Sequence, residues 1–188
     1  AKVEKNTDAE LVAVLAKQAD NYRYIPTLWA ALLGLMTPAA LWVMGFWLSV
    51  TDVFILQVSI TATLVLVLRA PIILHRLIPN SVGQYRAGNL ARSQFLEQGL
   101  HHTKGQTGIL IFISEAEHYV EILADSGIDQ HVEQSLWQAI VDALIVDIKK
   151  SNTQQGLITA IESCGELLAK HVPATSEKNE LANHLIIL

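Results

Sequence analysis

Charged residues are almost absent from one long stretch of this 188-residue sequence. From Leu28 to Leu68 there is no Lys, Arg, Glu or His, and Asp52 is the one ionisable side chain. A helix needs about 20 apolar residues to cross a bilayer, and this stretch is about twice as long. Buried helices of soluble proteins are usually about 10–14 residues long and carry polar residues on one side. The stretch therefore predicts two membrane-spanning helices joined by a short turn.

Cysteines and catalytic motifs are also scarce. Cys164 is the only cysteine, which excludes an internal disulfide and suits a cytoplasmic domain. The sequence contains no CxxC pair, no HExxH motif, no phosphate-binding glycine loop and no GxSxG elbow. The formal net charge of −5 gives no reason to expect a nucleic-acid partner.

The predicted transmembrane hairpin occupies residues 27–78, with spans at about 28–47 and 53–74. Asp52 lies in the turn and is interpreted as a cap of the second span, the alternative being a buried proton or ion site. Pro38 removes a backbone hydrogen bond and is expected to bend the first span. The spans lack the intramembrane charges that transport usually uses, which disfavours a channel or transporter.

Two sets of side chains suit the two environments of such a hairpin. Aromatic residues expected at the membrane–water interfaces are Tyr22, Tyr24, Trp29, Trp42 and Trp47. Residues expected to support packing between the spans are Gly34, Gln57, Ser59, Thr61 and Thr63.

Positive charges flank the hairpin on both sides and are absent from its turn. The segment before the first span contains Lys2, Lys5, Lys17 and Arg23. The apolar part of the second span, which ends at Leu68, is followed by Arg69, Arg76, Arg86 and Arg92. Because Lys and Arg stay on the cytoplasmic side, both termini are expected in the cytoplasm and the turn on the other side. The predicted location is the bacterial inner membrane.

The remaining residues, 1–26 and 79–188, are predicted to form one small domain. Its strands are expected at about 9–16, Thr107–Ser114 and His118–Ala124. Its helical patterns cover Ala87–His102, Glu133–Lys150 and about 157–172. Cys164 falls on the apolar stripe of the last helix and is interpreted as a small buried residue. The apolar end of the tail 181–188 is expected to pack against other residues.

Four segments of the second half of the chain match the pattern of one known family. They are Gln94–Thr103 (QFLEQGLHHT), Thr107–Ser114 (TGILIFIS), Tyr119–Ile128 (YVEILADSGI) and Trp137–Asp142 (WQAIVD). Together they resemble the TPM domain over residues 90–188. The resemblance implies a small α/β sandwich with a short mixed sheet, and the segment at 9–16 is similar to the family's first strand. The hairpin would then be an insertion inside the domain.

The resemblance implies two alternative functions. Some plastid members are described as acid phosphatases or metal-binding proteins, whereas others look like auxiliary subunits that assemble or stabilise membrane complexes. Bacterial relatives tend to accompany LemA-type membrane proteins. We therefore expect a membrane-anchored interaction or assembly subunit without a cofactor, whose partners are the lipid bilayer and other membrane proteins, such as those of the LemA type. The alternative is a membrane-tethered, metal-dependent phosphatase.

A phosphatase would need carboxylates, and five are candidates: Asp20, Glu121, Asp125, Asp129 and Asp142. Asp125 and Asp129 follow a predicted strand, at the kind of sheet edge where open α/β folds bind ligands. Their oxygens would suit Ca²⁺ or Mg²⁺, and the alternative is that Asp125-Ser126-Gly127 forms a turn. The glycine-rich acidic stretch of the phosphatase-like members is reduced here to Asp125, Gly127 and Asp129, which disfavours this activity.

Overall fold

A computed structural model of the protein describes residues 7–150, 152–174 and 185–188. Its strands are β1 (Glu10–Ala16), β2 (Gly108–Ser114), β3 (Tyr119–Ala124) and β4 (Leu185–Ile187). They form one mixed sheet in the order β3-β2-β1-β4. β1 pairs in parallel with β2 and with β4, and β2 pairs antiparallel with β3. The predicted α/β fold with a short mixed sheet is confirmed.

The sheet joins segments that are far apart in the sequence. Glu10 lies opposite Gly108, and Ala16 lies opposite Ser114. The parallel pairing follows from the long connection between the two strands, which passes through several helices. β4 is formed by the apolar tail, which the sequence pattern did not identify as a strand because three residues are too few to show a period of two. Residues 181–184 of that tail lie outside the described residues.

The helices are α1 (Tyr24–Leu35), α2 (Thr37–Val43), α3 (Val50–Leu68), α4 (Pro71–Leu77), α5 (Asn80–Glu97), α6 (Ser126–Asp129), α7 (Gln134–Lys149) and α8 (Thr153–His171). α5 begins earlier than predicted, at Asn80. It ends before the predicted boundary, because Gly99 adopts a φ of 71° and leaves Leu100–His102 as a separate 3₁₀ turn. β3 begins at Tyr119 rather than at His118, because His118 has a φ of 50° and belongs to the turn.

The chain forms two compact units, which are the residues up to Ala19 with Gln84–Leu188, and Asp20–Gly83. In the first unit, alternating side chains of the sheet pack on opposite faces. Ile109, Ile111 and Ile113 of β2 lie in a core with α7 and α8. Leu110 and Phe112 lie in a second core with α5. This layering covers both faces of the sheet, which explains why β2 is apolar at nearly every position.

Cys164 of α8 is fully buried in the core between the sheet and α7. Burial raises the pKa of its thiol to about 12. Because the thiolate is the reactive form, Cys164 is chemically inert in the folded domain. The interpretation of this residue as a small buried side chain is confirmed.

The second unit is helical. Tyr24–Val43 and Val50–Leu68 are long and apolar enough, by length and composition, to cross a membrane. The first of these is divided into α1 and α2 at Met36, two residues before Pro38, which has no N–H for a helical hydrogen bond. The second ends at Leu68 rather than continuing to residue 74. The backbone at Ala70 is extended, as expected of the residue before a proline, and α4 begins at Pro71.

Two local contacts fix the geometry of the helical unit. Gly34 of α1 lies so close to α3 that a β-carbon at this position would overlap Oγ1 of Thr61. At the start of α3, Ser49 is the N-cap and accepts a hydrogen bond from the backbone N–H of Asp52 at 3.2 Å. The Ser49 hydroxyl donates to Oδ2 of Asp52 at 2.6 Å. Ser49, and not Asp52, is therefore the cap of this helix.

Candidate functional site

The candidate site lies at the edge of the sheet where β1 and β2 begin and β3 ends. These ends meet because β1 and β2 are parallel and β3 is antiparallel to β2. Asp125 directly follows β3, and its backbone N–H donates to the carbonyl of Gly108 at 2.9 Å. The fold thus places the Asp125–Asp129 segment beside the first residue of β2.

The two carboxylate oxygens of Asp125 differ in hydrogen bonding. It is the N-cap of α6, and its Oδ1 accepts a hydrogen bond from the backbone N–H of Ser126 at 2.7 Å. Its Oδ2 is buried and has no hydrogen-bond partner among the described residues. Asp129 lies one helical turn later and is exposed. The segment therefore forms a capped turn, with one carboxylate oxygen left unsatisfied.

Gly127 packs against the turn formed by residues 103–107. Its backbone N–H donates to the carbonyl of Gln106 at 3.0 Å, and the Ser126 hydroxyl donates to Oε1 of Gln106 at 2.7 Å. A β-carbon on Gly127 would overlap the carbonyl oxygen of Gly105 and would lie 2.7 Å from that of Gln106. Gly105 and Gln106 both have positive φ angles, 88° and 56°, so this turn cannot move aside without further strain.

Replacing Gly127 with Ala is therefore expected to destabilise the domain by about 1–3 kcal/mol, the usual cost of overpacking a close contact. The measurement is urea unfolding of the purified protein in detergent. The matched control is Gly88→Ala on α5, where the nearest atoms to a new β-carbon are the ends of the Tyr119 and Arg92 side chains, at 3.2 and 3.3 Å. Equal unfolding midpoints for the two variants would contradict this account of the turn.

The 103–107 turn also borders a cavity of about 260 Å³. Its lining includes Asp8, Glu10, Lys104 and Thr107. Glu10 is only 4% exposed although it carries a carboxyl group. This cavity was not predicted from the sequence. The available signal was an acidic residue at the first position of an otherwise apolar strand, where buried carboxylates are rare.

Two of the other candidate carboxylates have local hydrogen-bond partners. Glu121 accepts a hydrogen bond from the Tyr119 hydroxyl at 3.0 Å, and burial together with the Glu121 charge raises the pKa of Tyr119 to about 12. Asp142 is exposed on α7 and accepts from Nε2 of Gln138 at 2.9 Å. Asp20 belongs to the helical unit. Among the residues that the structure describes, no three His, Cys, Asp or Glu side chains come together to hold a metal ion.

The aromatic residues expected at the membrane interfaces fall into two groups. Tyr24, Trp29, Trp42 and Trp47 are exposed, with Trp47 the most exposed at 88%. Tyr22 differs, because its side chain is only 3% exposed and its backbone has a φ of 48°.

Two threonine hydroxyl groups of α3 form hydrogen bonds with carbonyl groups of the same helix. Thr61 donates to the carbonyl of Gln57, and Thr63 donates to that of Ser59, both at 2.8 Å. Gln57 and Thr61 are half-buried, whereas Ser59 and Thr63 are exposed. Only the first pair therefore lies on the side of α3 that includes the contact with Gly34.

Comparison with protein families identifies the α/β unit. The model of the TPM domain matches residues 73–167, about half of the chain. The chain belongs to the TPM domain family. The match contains β2, β3, α6 and α7 but not β1, which the structure adds to the same sheet from the N-terminal part of the chain.

A solved structure supports the same fold for the TPM domain protein. The NMR structure of BA42 from the psychrophilic bacterium Bizionia argentinensis matches with a TM-score of 0.59 and 20% sequence identity. The match covers 99% of this chain and 85% of that chain. At this identity the likeness concerns the fold alone. No protein with a curated function matches the sequence.

Proposed function

We propose that this TPM domain protein is a membrane-anchored interaction or assembly subunit that binds or stabilises a membrane protein complex. The observation that carries the proposal is the surface of α3. None of its 19 residues is buried, although 13 of them are apolar. An apolar surface of this extent is covered by lipid or by another protein.

Hydrogen bonding within α3 supports a place in the bilayer. Lipid offers no partner for a polar group, so hydroxyls inside a membrane must be satisfied internally. Thr61 and Thr63 meet this requirement through carbonyl oxygens of their own helix. Asp52 and Ser49 lie at the end of the helix, where they can reach water. The hairpin would then hold the TPM domain at the cytoplasmic face of the bacterial inner membrane.

The TPM domain offers surface for partner binding. Three large apolar side chains of α7 and α8 are exposed, Leu136, Val146 and Ile158. Exposed apolar side chains of this kind can serve as anchors in an interface. The partners proposed are other membrane proteins, for example of the LemA type, and no cofactor is required.

One observation favours the alternative, a membrane-tethered, metal-dependent phosphatase. The buried, unpartnered Oδ2 of Asp125 is an oxygen that a Ca²⁺ or Mg²⁺ ion could use. The neighbouring Asp129 would supply a second carboxylate, but the described residues bring no third acidic or histidine side chain to this place. We therefore keep this function as the second candidate.

Co-purification in mild detergent distinguishes the two functions. Partners retained by the wild-type chain should be lost from a Val146→Ser/Ile158→Ser variant, because it replaces two of the exposed apolar side chains of this surface with polar ones. They should be kept by Asp125→Ala/Asp129→Ala. Phosphatase turnover is measured in parallel, with and without Mg²⁺ or Ca²⁺. Metal-dependent turnover that disappears in the double aspartate variant, with unchanged co-purification in both variants, would replace the first function by the second.

A further inference from the structure

Three arginines lie at one end of the helical unit. Arg23 is the N-cap residue of α1, Arg69 is the C-cap residue of α3, and Arg76 lies in the last turn of α4. All three side chains are exposed. No hydrogen bond or ion pair of theirs to another side chain is found among the described residues of this unit.

Arg23 and Arg69 lie at similar distances, measured along the helix axes, from the contact between Gly34 and Thr61. α3 contacts both α1 and α2 and returns after a short turn, so α1 and α3 are antiparallel. Arg23 lies about three helical turns before Gly34, or roughly 16 Å, and Arg69 about two turns after Thr61, or roughly 12 Å. Because the helices are antiparallel, Arg23 and Arg69 lie on the same side of this contact. α4 contacts α1 and α3, which places Arg76 at this end as well.

The charge of this end is unbalanced. The segment Asp20–Gly83 contains only two carboxylates, Asp20 and Asp52. Asp52 is held by Ser49 at the opposite end of α3. Asp20 accepts a hydrogen bond from the backbone N–H of Asn21. Within the segment Asp20–Gly83, the end that carries Arg23 therefore contains three arginines and one carboxylate.

The surface next to these arginines is apolar. Leu28 and Trp29 of α1 and Leu66 and Val67 of α3 are exposed within two turns of the guanidinium groups. A ligand that fits must therefore carry a negatively charged group directly attached to a hydrocarbon segment. Guanidinium groups bind phosphate oxygens in pairs, with a geometry that an ammonium group cannot reproduce. Anionic phospholipids present a phosphate and acyl chains at this spacing.

We infer that Arg23, Arg69 and Arg76 form a binding site for the phosphate headgroup of an anionic phospholipid. The inference rests on the proposed membrane hairpin and names the lipid that the hairpin selects. A basic side chain at an anionic surface contributes about fivefold in affinity, so removal of all three arginines is expected to weaken binding about 100-fold.

The test uses the full chain in detergent, titrated with fluorescent phosphatidylglycerol and, separately, with phosphatidylcholine. The variant is Arg23→Gln/Arg69→Gln/Arg76→Gln. The matched control, Lys149→Gln/Lys150→Gln/Lys170→Gln, removes the same charge from exposed positions of the TPM domain. The wild type and the control should bind phosphatidylglycerol tightly and phosphatidylcholine weakly, and the arginine variant should bind both weakly. Equal binding of phosphatidylglycerol by all three proteins would overturn the inference.

Two further measurements distinguish a failure of the lipid-binding inference from a failure of the membrane proposal. Inorganic phosphate at millimolar concentration should not compete with the lipid, and full competition would show a site for free phosphate instead. Flotation with phosphatidylcholine vesicles tests the hairpin itself, because every variant should float. A wild-type chain that does not float would overturn the membrane proposal together with this inference. A protein that floats without preferring phosphatidylglycerol would overturn the inference alone. The Arg→Lys triple variant, which keeps the charge, should bind with intermediate affinity.

Discussion

Excision of residues 20–83 is expected to move the protein entirely from the membrane fraction to the soluble fraction. The excised segment carries the two helices that are apolar enough to cross a bilayer. The remaining chain keeps β1 to β4 and the cores on both faces of the sheet. A flexible Gly/Ser linker from Ala19 to Gln84 would join the two pieces and leave α5 from Gln84 onward. Fractionation of cell lysate measures the redistribution, and thermal unfolding by circular dichroism shows that the domain is folded.

The matched control inserts the same linker between Gly83 and Gln84 without any deletion. This control interrupts α5 but should remain in the membrane fraction, because Tyr24–Val43 and Val50–Leu68 are unchanged. If the excised chain stayed with the membrane as a folded protein, the helices of the 20–83 segment could not be its anchor.

Cysteines placed at residues 17, 51 and 92 are expected to react with a membrane-impermeant reagent from opposite sides. Cysteine at position 51 should be labelled in intact cells, and cysteines at positions 17 and 92 only after the inner membrane is opened. The reason is the excess of Lys and Arg around the spans and their absence from the turn. The native side chains at all three positions are exposed, so access is not limited by burial.

The background for this experiment is a Cys164→Ala variant. The native Cys164 is buried with a raised pKa, so the wild-type chain itself should show little labelling and serves as a second control. Labelling at residue 17 from outside intact cells, with none at residue 51, would reverse the proposed orientation and refute the cytoplasmic position of the TPM domain.

The sheet was the part of the fold most readily predicted from the sequence. The continuous apolar run of β2 and the alternation in β3 carry strong periodic signals, and the parallel partner of β2 follows from the length of the connection. Element ends were less accurate. Ser49 caps α3 although Asp52 is the more conspicuous charge, because the cap is chosen by backbone geometry rather than by charge.

The candidate site was predictable only in part. Asp125 and Gly127 are visible in the sequence as a turn after a strand, and the structure places them there. The sequence signalled the cavity only through the acidic Glu10 at the start of an apolar strand, because its walls come from three segments far apart in the chain, residues 8–10, residues 103–107 and Val172. Likewise, the strained φ of Gln106 depends on the carbonyl contacts of Gly127, which only the folded chain creates.

The central position of β1 in the sheet has a consequence for biosynthesis. β1 is translated first, but both of its neighbours, β2 and β4, are translated only after the whole 20–83 segment. At roughly 5–20 residues per second, the ribosome needs several seconds to proceed from β1 to β2. The apolar helices of the 20–83 segment are thus synthesised while β1 is still without its neighbouring strands. If the 20–83 segment forms the proposed membrane hairpin, its insertion would precede the folding of the TPM domain. The sheet could then form only if the segments before and after the hairpin lie on the same side of the membrane.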